Sequence, residues 1–380
     1  MNWHIVTGEY PPQPGGVSDY TRVVANGLVA SGDKVHVWAP AMAARELPDE
    51  GVSVHRLLGG FGIAGLRRLD AGLRAVGSGR LLIQYVPQAF GWKGMNLPFC
   101  WWLYGRRRQA PVVMFHEVMY PLERGYPLRH NLLGAISCLM AAIIARAAGR
   151  ILVSAPIWQE ILRTRVRSRR SSEWLPLPTT VPVLSDAAGV SKLRRRYGGE
   201  EILLGHFSSY PVTTRRRLRE VIPRVLSLNA KLALLLIGSE SEAFRAELIA
   251  AAPALASRVG ASGHLTLDDL SRHISACDLM VQPYPDGACA RRTTLIAAIA
   301  HGRAIVTDTG RATEPFWRES GAVAIVAQGG EHEISAQIAE LSADATTRSR
   351  YANAAALLYR ERFELRHTLA ILRRGQCASR

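Results

Sequence analysis

Short apolar runs alternate with helical patterns along the whole chain. Residues 3–7 (WHIVT), 34–38 (KVHVW) and 81–86 (LLIQYV) are rich in apolar side chains, which is typical of strands in a covered parallel sheet. Between the first two runs, the apolar positions of residues 17–30 recur with the spacing of one helix face. The alternation predicts an α/β protein with parallel sheets that helices cover on both faces.

A proline-rich segment interrupts this alternation near the middle of the chain. Residues 175–185 (LPLPTTVPVLS) fit neither a helix nor a central strand, so we interpret them as a linker between two domains. The strand pattern restarts at residues 202–207 (ILLGHF). A chain of 380 residues is also too long for one ordinary core, which agrees with two doubly wound domains.

The composition is strongly basic, with a formal net charge of +16. Of 47 basic side chains, 43 are arginines, and both halves of the chain share the excess. Because no single tail or arm holds the charge, we do not expect a nucleic-acid-binding protein. Arginine clusters that bind phosphate groups are one explanation. An arginine-rich composition without functional meaning is the other.

The cysteines and apolar segments indicate a cytoplasmic protein. The chain has five cysteines and no C-x-x-C pair, which favours a reducing compartment and predicts no zinc site. The first residues lack the pattern of a secretory signal. The longest apolar run, residues 132–145, is shorter than the roughly 20 residues of a membrane span. It is predicted to be a buried helix.

Two loops in the N-terminal half are candidate binding segments, because ligands of parallel sheets bind beyond the carboxyl ends of the strands. Gly15 and Gly16 precede a predicted helix, whose N-terminus is a site for an anion. His116 follows the apolar run 111–115 and is a candidate for contacting a sugar hydroxyl or transferring a proton. A tight turn and a structural histidine are the respective alternatives.

Two loops in the C-terminal half combine hydroxyls and cations. Ser208 and Ser209 follow the run 202–207, and a run of arginines begins at Arg215. In residues 282–302, Asp286 is followed by Arg291, Arg292, Thr293 and Thr294 at the start of an apolar helix. A pyrophosphate requires this combination of cations, hydroxyls and a helix N-terminus. A capped helix with surface arginines is the alternative.

Taken in order, these segments resemble GT-B glycosyltransferases of the large retaining family 4 type. The resemblance covers nearly the whole chain, from EYPPQPGGVSDYTRVVANGLVASGDKVHVWAP through MFHE, ILVSAP, HFSSYP and LLLIGS to LIAAIAHGRAIVTDTG. It implies two Rossmann-like domains that face a cleft. Residues 1–182 would form the acceptor side and residues 183–355 the nucleotide-sugar side. Residues 356–380 would form a helix that packs back on the first domain.

The resemblance implies transfer of a sugar from a nucleotide-sugar donor, UDP- or GDP-linked, in glycan, glycolipid or glycosylated-metabolite synthesis. It implies no further cofactor and no metal. Gly15, Gly16, Ser208, Ser209, Thr293 and Thr294 would lie at the donor phosphates. His116 would contact the transferred sugar, and His264 and Leu265 the nucleobase.

The chain departs from the family at a pair of glutamates, whose positions fall on Ala288 and Ile296. Asp286 and the pair Arg291 and Arg292 are the candidates to replace their contacts, which predicts a divergent branch. Arg215 is a candidate for a phosphate-loop cation that is missing from HFSSYP.

Because these family residues are absent, the sequence leaves open whether the configuration of the transferred sugar is retained or inverted. With retention, the departing phosphate would accept the acceptor proton. With inversion, a base is required, and Asp19 is the first candidate and His116 the second.

Other classes compete with this interpretation to different degrees. A nicotinamide-dependent dehydrogenase is disfavoured because the first loop, PGGVSDY, lacks the G-x-G-x-x-G pattern. A non-catalytic relative that binds carbohydrate or nucleotide stays open, because the glutamates are absent. The acceptor would be a sugar, a lipid-linked molecule or a small molecule.

Basic clusters in the N-terminal half point to a second partner. Residues 67–68, 106–108 and 163–170 are rich in arginine, and Trp101 and Trp102 lie near them in sequence. They predict a peripheral contact with anionic lipid at the inner face of the plasma membrane. A solvated basic face is the alternative.

Overall fold

The computed structural model describes residues 1–42, 49–122, 125, 127–199 and 201–374. The chain forms two compact units, with boundaries after Pro178 and after Glu364. The first unit comprises Met1–Pro178 and Leu365–Arg380, and the second comprises Thr179–Glu364. Of the predicted C-terminal segment, residues 375–380 lie outside the described residues.

The first unit is built on a parallel sheet of seven strands. In chain order the strands are β1 (Asn2–Thr7), β2 (Lys34–Pro40), β3 (Val52–Leu57), β4 (Arg80–Tyr85), β5 (Val112–Phe115), β6 (Arg150–Val153) and β7 (Ser172–Trp174). In space they follow the order β3-β2-β1-β4-β5-β6-β7. The described helices of this unit are α1 (Gly16–Ala30), α2 (Ile63–Val76), α3 (Leu97–Gly105), α4 (Leu128–Ala147), α5 (Pro156–Thr164) and α14 (Leu365–Arg373).

The second unit repeats this plan with six parallel strands. They are β8 (Ile202–Phe207), β9 (Leu232–Ile237), β10 (Val259–Ala261), β11 (Leu279–Gln282), β12 (Ala304–Asp308) and β13 (Ala324–Val326), in the spatial order β10-β9-β8-β11-β12-β13. The described helices are α6 (Ala187–Tyr197), α7 (Val212–Leu228), α8 (Ser241–Ala251), α9 (Leu267–Ala276), α10 (Thr293–Ala300), α11 (Phe316–Glu319), α12 (Glu331–Ala343) and α13 (Ala345–Leu358). A π-helical turn, Tyr359–Phe363, follows α13.

Both sheets confirm the predicted α/β fold with parallel strands. The central strands are buried along their length, as β9 (LALLLI) and β5 (VVMF) show, so continuous apolar sequence was the correct signal. Two edge strands, β7 and β10, are only three residues long and carry no apolar run, and the sequence did not predict them.

The strand order of the second sheet reverses between β8 and β11. The loops that follow these two strands therefore run to opposite sides of the sheet and leave a crevice at its carboxyl edge, which is where doubly wound sheets bind ligands.

The prediction that residues 132–145 form a buried helix is correct for the helix and wrong for the burial of its outer side. One side of α4 lies in the core, but Leu128 is 89% exposed, Leu132 60% and Leu139 51%. Periodicity could not distinguish the two sides, because apolar side chains occupy both. By length and composition α4 could also cross a membrane, although 39% of its apolar window is buried within the protein.

Candidate functional site

A cavity of ≈ 620 Å³ lies at the carboxyl edge of the second sheet. Loops that follow β8, β11, β12 and β13 line it, together with the first turns of α7 and α10. The lining residues are Ser208, Ser209, Pro211, Thr213, Thr214, Tyr284, Pro285, Asp286, Arg291, Arg292, Thr293, Thr294, Arg311 and Gln328. The structure thus brings together seven of the residues singled out from the sequence: Ser208, Ser209, Asp286, Arg291, Arg292, Thr293 and Thr294.

Two helices begin at this cavity. The residue before α7 is Pro211 and the residue before α10 is Arg292, and neither caps its helix through a side-chain hydrogen bond. Amide groups in the first turn of a helix have no partner within the helix, and the helix dipole adds positive potential there. The cavity therefore receives two helix ends that favour an anion.

The charge of the lining is also positive, with three arginines and one aspartate. Arg291 donates to Asp286 over 2.7 Å, and Arg292 donates to the other oxygen of the same carboxylate. The guanidinium of Arg292 lies 4.9 Å from the centre of the Tyr284 ring, and its buried Nε has no hydrogen-bond partner among the described residues. Burial lowers the pKa of Arg292. A guanidinium nevertheless stays protonated in proteins, so Arg292 remains a cation.

Two buried carboxylates hold the loop that carries these arginines. Asp308 accepts a hydrogen bond from the amide of Tyr284 at 2.8 Å and pairs with Arg217. Glu314 accepts from the amide of Ala290 through both oxygens, at 3.2 and 3.1 Å. Burial raises the pKa of both carboxylates. Their placement fixes the backbone on either side of Asp286.

The same loop lies directly on the loop that follows β12. Gly287 has φ +84°, and a Cβ atom there would lie 2.1 Å from the amide nitrogen of Gly310. Glycine is therefore required at position 287 both by its conformation and by the close approach. The amide of Ala312 also donates to the carbonyl of Asp286 at 3.0 Å. These contacts fix the aspartate between the two loops.

Arg215, a candidate for binding phosphate, is not among the residues that line this cavity. Its guanidinium pairs with Glu247 and with Glu240 and donates to the carbonyl of Tyr210. These contacts link Arg215 to neighbouring parts of the second unit, and its expected contact with phosphate stays a prediction.

His264 and Leu265 follow β10 and do not line the cavity either. His264 is exposed and Leu265 is half-buried. Their expected contact with a nucleobase stays a prediction.

In the first unit, a carboxylate of the protein occupies the helix start that was predicted to bind phosphate. Glu9 Oε1 accepts hydrogen bonds from the amides of Val17 and Ser18, both at 3.1 Å. Gly15 leaves room for this arrangement, because a Cβ atom there would lie 2.5 Å from Glu9 Oε1. The first turn of α1 is therefore stabilised from within, and the roles expected of Gly15 and Gly16 stay predictions.

His116 is buried at the end of β5 and is a weak base. Its Nε2 lies 2.7 Å from the amide oxygen of Gln84, and the ring of Tyr20 packs edge-on against it. Burial lowers the pKa of His116 to about 3, so the imidazole is neutral at physiological pH. Asp19 is half-buried in the first turn of α1, and burial raises its pKa. These observations favour Asp19 over His116 as a proton acceptor.

Sequence reasoning missed several residues of the cavity as site residues, notably Thr213, Thr214, Tyr284, Arg311 and Gln328. All of them follow a strand or begin a helix, so the rule that ligands bind at the carboxyl edge could have indicated them. Among the described residues, no group of three or more His, Cys, Asp or Glu side chains is placed to hold a metal ion.

One family model matches part of the chain. Residues 202–344 match the family described as "Glycosyl transferases group 1". The match begins at the first residue of β8 and lies wholly within the second unit, so it includes the cavity. No curated protein matches the sequence.

Solved structures of glycosyltransferases match nearly the whole chain at low sequence identity. Sucrose-phosphate synthase from Thermosynechococcus elongatus is 15% identical with a TM-score of 0.74, and the match covers 98% of this chain and 97% of that one. Alr3699/HepE from Anabaena, in complex with UDP and glucose, is 16% identical with a TM-score of 0.70 and 98% coverage of both chains. WaaG, a glycosyltransferase of lipopolysaccharide biosynthesis, is 14% identical with a TM-score of 0.67, covering 98% and 100%. The chain therefore has the GT-B fold, with two Rossmann-like domains.

Proposed function

We propose that the protein is a glycosyltransferase that moves a sugar from a UDP- or GDP-linked donor to an acceptor hydroxyl. The cavity of the second unit carries this proposal, because two helix N-termini, Arg291, Arg292 and several hydroxyls meet there. A diphosphate is the anion that such a set of donors suits. The match of residues 202–344 to glycosyl transferases group 1 supports the same conclusion.

The similar structures support a nucleotide-sugar donor. Alr3699/HepE was solved with UDP, with UDP-glucose, and with UDP and glucose. In the proposed complex, Arg292 and the first turn of α10 bind the diphosphate, and Asp286 lies at the donor sugar. We further propose a hexosyltransferase.

In the proposed reaction, the charge that develops on the leaving diphosphate is neutralised by groups already in place. Arg291, Arg292 and the dipoles of α7 and α10 act as fixed positive charges, so no reorganisation is required as the bond to the sugar breaks. We propose on this basis that the transfer is independent of a metal ion. Activity that persists in EDTA would support this, and activity that requires added Mg²⁺ or Mn²⁺ would contradict it.

We propose that the configuration of the sugar is retained, with the departing phosphate accepting the acceptor proton. An imidazole of pKa about 3 is a poor acceptor for a hydroxyl proton, so of the two candidate bases that inversion would require only Asp19 is left. NMR assignment of the product anomer tests the proposal directly. An inverted product together with an inactive Asp19→Asn variant would instead identify Asp19 as a base.

A non-catalytic relative that binds nucleotide or carbohydrate is the second candidate function, because Ala288 and Ile296 have no polar side chain at the expected glutamate positions. A panel of UDP- and GDP-sugars separates the two. Thermal stabilisation with donor hydrolysis or transfer supports the enzyme. Stabilisation without turnover supports the binding protein, and the absence of both contradicts the proposed donor site.

The proposal places the protein in the cytoplasm. Cys100, Cys138, Cys277 and Cys289 are free thiols, which is usual in a reducing compartment. We propose a carbohydrate, lipid-linked or small-molecule acceptor.

A further inference from the structure

The outer side of α4 is apolar where an exposed helix surface is normally polar. Four residues at intervals of four, three and four positions form this leucine stripe: Leu128, Leu132, Ala135 and Leu139. The spacing places them on one side of the helix. The opposite side packs into the core through residues such as Met140 and Ile144. A contiguous apolar surface of this kind marks an interaction site.

An arginine-lined cavity of ≈ 500 Å³ lies at the C-terminal end of the same helix. Its arginine cluster consists of Arg146, Arg167, Arg169 and Arg170. All four side chains are exposed, and no acidic residue lines the cavity. Within the described part of the chain, none of the four forms an ion pair. Arg146 lies seven positions after Leu139, so the cluster continues the side of α4 that the stripe occupies.

Two of the residues that we expected at a membrane surface, Trp102 and Arg106, are engaged in contacts within the first unit. Trp102, which we expected at a membrane surface, donates its indole Nε1–H to Asp70 at 2.7 Å. Arg106 also pairs with Asp70, and its guanidinium lies 3.9 Å from the centre of the Trp102 ring. Trp101, in contrast, is 58% exposed. The leucine stripe and the arginine cluster are exposed along one side of α4 and at its C-terminal end, so both are available to an outside partner.

We infer that the leucine stripe and the arginine cluster dock the first unit onto a bilayer that contains anionic phospholipid. The stripe and Arg146 span about 18 residues, or about 27 Å of helix, which is long enough for a flat contact at the interface. The leucines would enter the boundary between headgroups and acyl chains. The arginines would bind lipid phosphate groups.

The geometry favours a helix that lies in the plane of the membrane over one that crosses it. The inner side of α4 forms part of the core, and a helix that crossed the bilayer would have to leave that core. A second copy of the chain fits the surface less well. Neither the stripe nor the cluster contains a carboxylate, so two copies would bring like charges together. This inference does not rest on the proposed function, since it concerns the first unit and requires no turnover.

Vesicle sedimentation of the full chain tests the inference. We expect co-sedimentation with vesicles in which about a third of the lipid is phosphatidylglycerol, and little with phosphatidylcholine vesicles. Raising NaCl from about 0.05 M to about 0.5 M should lower the bound fraction, because salt screens the arginines. Equal binding to both vesicle types would overturn the inference.

Two double variants separate the contributions of the stripe and the cluster. Leu132→Gln/Leu139→Gln and Arg167→Ala/Arg169→Ala should each reduce the partition coefficient on the order of tenfold or more. The matched control Leu357→Gln changes a leucine that is 48% exposed on α13 and should bind as the wild type does. The thermal-unfolding midpoint should not change in any of these variants.

Wild-type binding by both double variants would overturn the inference. Conversion of a dimer to a monomer by the leucine changes without lipid would also overturn it and would assign the stripe to a second copy.

Discussion

The carboxylate of Asp286 accepts a hydrogen bond from the guanidinium of Arg291 over 2.7 Å inside a cavity that otherwise carries positive charge. Arg292 binds the second oxygen of the same carboxylate. The aspartate therefore holds two cations in place before a ligand arrives. An incoming diphosphate would meet the cations already oriented, together with one negative charge that repels it.

The first prediction concerns this opposing role of Asp286. Asp286→Asn removes a negative charge from the cavity and keeps the size of the side chain. We expect the affinity for UDP or GDP to rise on the order of fivefold, because the charge repulsion is lost. We expect kcat with the nucleotide sugar to fall, because the cations are oriented less well. Isothermal titration and steady-state kinetics measure the two effects, and a variant with weaker nucleotide binding and unchanged kcat would contradict this role.

The second prediction concerns Arg292. Arg292→Ala should weaken binding of the nucleoside diphosphate by about ten- to a hundredfold, because a half-buried, charge-assisted contact is lost. Arg292→Lys should recover part of the lost affinity, since an ammonium keeps the charge but cannot bind phosphate through two parallel hydrogen bonds. Arg224→Ala removes the same charge from an exposed position of α7 and serves as the control. Equal effects of Arg292→Ala and Arg224→Ala would mean that the total charge, and not the cavity, governs binding.

The third prediction concerns pH and a buried histidine of the second unit. His206 lies in β8, and burial lowers its pKa to about 3. Between roughly pH 6.5 and 3, the unfolded chain binds a proton there and the folded chain does not, so stability is retained above pH 6.5 and falls as the pH decreases. At about pH 5, His206 lowers the unfolding free energy by about 2 kcal/mol relative to its value above pH 6.5. In His206→Leu, the decrease in unfolding free energy between about pH 7.5 and 5 should be smaller by this amount. Urea unfolding, followed by a probe in the second unit, measures the unfolding free energy at each pH. The same pH dependence in His206→Leu as in the wild type would refute the contribution assigned to His206.

The location of the cavity could be predicted from the sequence because its residues are local signals. Arg291, Arg292, Thr293 and Thr294 lie between the end of a strand and the start of an apolar helix, and Ser208 follows another strand. In a parallel sheet these positions converge whatever the details of packing. The order of the segments and the direction of the strands were therefore sufficient to locate the cavity.

Contacts between distant parts of the chain could not be predicted in this way. Glu314 binds the amide of Ala290, which lies 24 positions earlier, and nothing in the periodicity connects the two. The pairing of Arg215 with Glu247 likewise depends on how α7 packs beside α8. The chemistry of the side chain made Arg215 a candidate phosphate ligand, but it could not reveal the ion pairs that tertiary packing gives this arginine.

The last prediction concerns Glu9 and the start of α1. Glu9→Ala leaves the amides of Val17 and Ser18 without their acceptor and should lower the unfolding free energy of the first unit by about 1–2 kcal/mol, the usual cost of a lost helix cap. Glu9→Gln should remain within about 1 kcal/mol of the wild type, because both amides donate to one oxygen, Oε1, which glutamine retains. Glu50→Ala, at an exposed position of the same unit, is the control and should have little effect. Urea denaturation followed by a probe in the first unit measures all three. Equal losses for the alanine and glutamine variants would show that the negative charge, and not the hydrogen bonds, stabilises the first turn of α1.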